Sequence, residues 1–116
     1  MDYNFKLLNK HYLINNYINK HILNNFPNKE YILKNNIEEC MYNNIKYIFG
    51  YKLSNNKNVR NKYLNDILIN NSMLNYYTYI IYCKKIINNK RYIVTSNFLI
   101  EIKKIVYGLI DYEKGL

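Results

Sequence analysis

The chain has 116 residues, 49% of them hydrophobic, and a formal net charge of +9. That length suits one domain with a single core, and that apolar content excludes a disordered chain. The basic balance points to an anionic partner, and no apolar run approaches the roughly eighteen residues of a membrane span.

Tyr3 to Phe26 reads as the first helix. Phe5, Leu8, Tyr12, Leu23 and Phe26 cluster on one side, with Leu7, Ile14, Ile18 and Ile22 on the adjoining one. Together they cover about half the circumference, a core-facing width. Pro27 ends this helix or starts the next. Asn28 is placed to cap a second helix, in which Leu33, Ile37, Met41 and Ile45 step by four. Cys40, Ile48 and Phe49 lie beside that row, and Gly50 is a natural stop. Ser54 to Asn58 is the most polar loop.

Asn58 is expected to cap a short third helix, Val59 to Asn70, burying Tyr63, Leu64, Ile67 and Leu68. Asn70, Asn71 and Ser72 then break it, and Ser72 caps a helix from Met73 to Ile87. Eleven of those fifteen residues are apolar or aromatic, with Asn75, Thr78, Lys85 and Tyr82 on one narrow stripe. A helix apolar almost all round belongs in the centre of a bundle, so this one is expected to be the most buried element. A strand pair is the rival reading, because Tyr, Ile and Thr favour strands. Fifteen residues without a turn signal favour the helix.

Asn88 to Lys90 reads as a turn. Arg91 to Thr95 is short and β-branched, and an extended segment there could pair with Lys46 to Leu53 if the second helix ends early. Ser96 caps the last helix, with Phe98, Leu99, Ile102, Ile105, Val106, Leu109 and Tyr112 inward. Gly108 within it costs about 1 kcal/mol against Ala. The expected fold is all-α: a small single-domain bundle of four to five helices over residues 1–116, with a minor extended segment near 91–95.

The chain lacks Ala, Gln and Trp and has one Pro and three Gly, while Asn, Ile, Lys and Tyr dominate. The scarce residues use GC-rich codons and the abundant ones AT-rich codons, which points to an AT-biased genome. Fifteen of the seventeen basic residues are Lys, so the same bias contributes to the charge. Codon bias does not explain its distribution. Lys46 to Lys104 holds eleven basic residues against Asp66 and Glu101, a net +9, and the remainder of the chain sums to zero.

Lys52, Lys57, Arg60 and Lys62 surround the first polar loop; Lys84, Lys85, Lys90 and Arg91 surround the next long turn. Brought to one end of a bundle, these eight make a cationic rim for nucleic-acid phosphates. Tyr51, Tyr63 and Tyr92 lie among them, where they can stack on unpaired bases. The plain alternative is a solvated face.

Catalytic and metal motifs are missing. His11 and His21 are ten residues apart, too far along one helix to share a metal, and are expected at the surface or its boundary. Glu38 and Glu39 are adjacent and point apart. No Gly-rich phosphate loop, CxxC or HExxH occurs. Cys40 and Cys83 are expected as reduced core thiols in an intracellular compartment. No enzyme activity, cofactor, metal or small-molecule substrate is expected. The favoured function is a non-enzymatic basic subunit of a ribonucleoprotein, ribosome-like, contacting RNA and neighbouring proteins. The alternative is a helical protein-interaction subunit of an organellar, parasite or viral complex, suggested by more Tyr and Ile than one small core hides.

Overall fold

The computed structural model describes residues 3–115, with side chains over 6–115. Helix α1 (Tyr3–Ile18) runs on into a π-helical turn, Asn19–Leu23. A 3-10 turn at Asn28–Glu30 leads into α2 (Tyr31–Leu53), followed by α3 (Lys57–Cys83) and α4 (Asn89–Lys114). The described residues contain no strand. Both α1 and α3 pack against α2 and α4. Connections this short force antiparallel neighbours, giving an up-down-up-down bundle of 47 × 23 × 19 Å. We call the end holding the α1–α2 and α3–α4 connections the upper end, and the end holding the α2–α3 turn the lower end.

The core follows a heptad rhythm. Leu64, Ile67, Asn71, Leu74, Thr78 and Ile81 are buried on α3 at alternating steps of three and four. Helix α2 buries Ile37, Met41, Asn44, Ile48 and Tyr51 with the same steps. Helix α4 does so with Thr95, Leu99, Ile102, Val106, Leu109 and Glu113. Such a seam keeps one face of each helix turned to its partners along the whole bundle. Polar residues stand in it because each finds a partner. The Asn44 side-chain amide donates to the Asn71 side-chain oxygen, Oδ1, at 2.6 Å, and the Thr78 hydroxyl donates to the Leu74 backbone carbonyl at 2.8 Å.

Several sequence expectations change. Val59–Asn70 and Met73–Ile87 are not two helices; α3 runs unbroken through Asn70, Asn71 and Ser72. Asn70 donates sideways to the Cys40 carbonyl and to Asn44 on α2, and the Ser72 hydroxyl donates to the Leu68 carbonyl. These bonds and the seam outweigh the low helix propensity of Asn and Ser. Nor is Met73 to Ile87 the most buried stretch. Met73, Tyr76 and Tyr79 are exposed, and only Leu74, Thr78, Ile81 and Ile87 are buried there. An ordinary half-buried helix rich in Tyr mimics a central one.

Arg91 to Thr95 is helical, since α4 starts at Asn89. Its cap is Asn88, whose side chain accepts from the Arg91 N–H, and Ser96 lies inside the helix. Asn56, not Asn58, caps α3, accepting from the N–H groups of Asn58 and Val59. The 3-10 turn at Asn28 precedes α2, and α2 passes through Gly50 to Leu53. Tyr12 and Tyr112 are exposed rather than inward, and Cys83 is exposed while Cys40 is buried. His21 is half-buried, but His11 is fully buried, its Nδ1 against the Leu7 carbonyl at 3.0 Å. The inward placement of Phe5 falls outside the described side chains.

Candidate nucleic-acid interface

Merging two expected helices into α3 reverses the parity of the topology. Two helices between the basic loops would bring them back to the same end; one helix of 27 residues carries them about 40 Å apart. Lys52, Lys57, Arg60 and Lys62 therefore lie at the lower end and Lys84, Lys85, Lys90 and Arg91 at the upper end. The eight do not form one rim.

In the lower group Arg60 is committed to the fold, while Lys52, Lys57 and Lys62 are exposed. The Glu113 carboxylate, buried in α4, accepts from the Tyr51 hydroxyl at 2.8 Å and from the Arg60 guanidinium. That guanidinium also lies over the Tyr51 ring, 4.8 Å from its centroid. Arg60 thus ties α2, α3 and α4 together, and Tyr51 is unavailable for stacking. Lys62 pairs with Asp66 one turn on, at 3.2 Å. Tyr63 is half-buried, its ring packed onto Gly50 and beside Tyr47.

The upper group gains members. Lys84 bridges to Glu30 at 3.0 Å, joining the α3–α4 turn to the α1–α2 connection. That contact brings Lys20, Lys29 and Lys34 to the same end. Residues 19–34 and 80–95 together hold seven basic side chains, Lys20, Lys29, Lys34, Lys84, Lys85, Lys90 and Arg91, against the single acid Glu30. Two-thirds of the net charge, +6 of +9, therefore gathers there. Six of the seven are exposed and Lys34 is half-buried. The first three were missed because in sequence Lys20, Lys29 and Lys34 belong to a half that sums to zero.

The local backbone sharpens this charge. The C-terminal turn of α3 closes with Ile86 N–H bonded to the Ile81 carbonyl at 2.9 Å and Lys85 N–H to the Tyr82 carbonyl at 3.0 Å. Lys85 occupies the left-handed position of this motif, φ 62°, where glycine is usual. Helix α4 then begins with Lys90 and Arg91 and no acid in its first turn. Cations at that positive dipole end repel it mildly, and a bound anion relieves both.

Aromatic rings adjoin the cations. Tyr82 of α3 and Tyr92 of α4 stack with centroids 4.7 Å apart and planes 9° from parallel. Tyr79, half-exposed, lies 6.3 Å from Tyr92. A cleft at the turn is lined by Tyr82, Lys85, Asn88 and Arg91. A separate groove between α1 and α2 is lined by Leu8, Tyr12, Tyr42 and Ile45. Among the described residues no three His, Cys, Asp or Glu side chains are grouped to hold a metal. No helix there is long and apolar enough to cross a membrane. No protein-family model, curated protein or solved structure matches the chain.

Proposed function

We propose that the chain is a non-enzymatic basic subunit of a ribonucleoprotein assembly that holds RNA phosphates at its upper end. The carrying observation is the +6 gathered from two connections distant in sequence, with its one acid already paired to Lys84. Lys and Arg in exposed turns contact phosphates without reading sequence, and each contact releases counterions. Lys85, Lys90 and Arg91 are the main contacts, supported by Lys20, Lys29 and Lys34.

Two variants of equal charge locate the surface. One carries Lys85→Glu, Lys90→Glu and Arg91→Glu; the other carries Lys52→Glu, Lys57→Glu and Lys62→Glu at the lower end. Affinity for a labelled RNA is measured against salt by fluorescence anisotropy. The upper variant should lose binding, and the log–log salt slope should shrink by about 2 for three lost contacts. The lower variant should change affinity by only a few-fold. Equal losses in both would mean that net charge alone attracts RNA.

A second reading rests on the α1–α2 groove, where Tyr12 is 61% and Tyr42 58% exposed above Leu8 and Ile45. Such a groove suits the apolar face of a partner protein's helix. Tyr12→Lys with Tyr42→Lys should then release the chain from its assembly while leaving RNA affinity unchanged.

A further inference from the structure

We infer that the upper end takes unpaired nucleotides rather than duplex, with a base laid against Tyr79 and the adjoining phosphates held at Lys85 and Arg91. This rests on the phosphate reading above and adds the class of nucleic acid to it. Cations alone would serve either form, since phosphates line both. What distinguishes this end is the ring array. Tyr82 and Tyr92, from different helices, brace one another in a parallel stack at 4.7 Å. Tyr79 flanks Tyr92 at 6.3 Å and is half-exposed, one turn before the basic α3–α4 turn.

Stacking presents a base's flat face to a ring, and in a duplex both faces are covered by neighbouring pairs. Only an unpaired base reaches Tyr79. Such stacking tolerates any base, which fits a site whose charges also read none. The Asn88 side-chain oxygen is engaged by the Arg91 N–H as the α4 cap, so the ring and the cations, neither of which reads sequence, carry the contact. The expected ligand is therefore single-stranded RNA of little sequence preference.

The test uses the full chain with a 12-nucleotide single strand carrying one 2-aminopurine, and a duplex with the same number of phosphates. The single strand should bind at least about ten-fold more tightly, and 2-aminopurine emission should be quenched on binding, as base stacking on an aromatic ring demands. Tyr79→Leu should remove the quenching and about ten-fold in affinity, whereas Tyr79→Phe, which keeps the ring, should retain both. Tyr79 is on the surface, and unchanged helicity by circular dichroism confirms that both variants fold. Equal affinity for the two RNAs, with Tyr79→Leu silent, overturns this inference and leaves the phosphate reading standing. Failure to bind either RNA at low salt overturns both.

Discussion

Gly50 and Tyr63 hold α2 against α3 so closely that a side chain on residue 50 would have to displace the Tyr63 ring. A Cβ added to Gly50 would lie 2.5 Å from Tyr63 Cζ, well inside van der Waals contact. Gly50 has ordinary helical φ, so its role is to admit the ring, not to turn the chain.

Gly50→Ala should therefore destabilise the bundle by about 1–3 kcal/mol, the usual cost of overpacking, despite a helix-propensity gain of about 1 kcal/mol. Adding Tyr63→Leu should make the Gly50→Ala step favourable by exposing that propensity gain. Urea unfolding of the four members of this cycle measures the coupling. Additive effects would mean that the ring swings aside without cost.

Lys85→Gly should stabilise the protein by about 1 kcal/mol, because glycine adopts the left-handed C′ conformation without steric penalty. For a domain of this size that is a rise of roughly 4 °C in Tm. Lys85→Ala keeps the penalty and should bring no such gain. Both variants should weaken RNA binding alike, since both remove the charge. Thermal unfolding beside anisotropy separates the two effects.

His11 predicts an acid-sensitive core. Burial pushes its pKa down to about 4, against a smaller upward pull from the Leu7 carbonyl. Nδ1 donates to that carbonyl, and Nε2 has no partner, so a proton arriving there would be buried unpaired. The unfolded chain takes up this proton near pH 6.5, while the folded chain resists until about 4. Stability is therefore whole above pH 6.5 and falls as the pH drops toward 4, by about 3 kcal/mol in all at 1.36 kcal/mol per unit. His11→Met should flatten this window relative to wild type in urea unfolding from pH 7 to 4. A parallel decline in both proteins would place the acid sensitivity elsewhere.

Helical class and the core rows were legible because burial follows periodicity. Ile37 and Met41, Leu64 and Ile67, and Ile102, Val106 and Leu109 are all expected and observed inside. The sequence also revealed the excess charge. Helix count was not legible, because Asn70, Asn71 and Ser72 carry a local turn signal that only contacts with Cys40 and Asn44 on α2 overrule. The unbroken spacing from Leu64 to Ile81 was the available clue, hidden because Asn71 and Thr78 occupy seam positions. The site depended on that count. One helix instead of two sent Lys57 and Lys85 to opposite ends, turned Arg60 into a structural partner of Glu113, and put Lys20, Lys29 and Lys34 at the same end as Arg91. Local propensity and periodicity reside in neighbouring residues. Which charges meet is set by how many times the chain reverses, and that was decided by side chains reaching across the bundle.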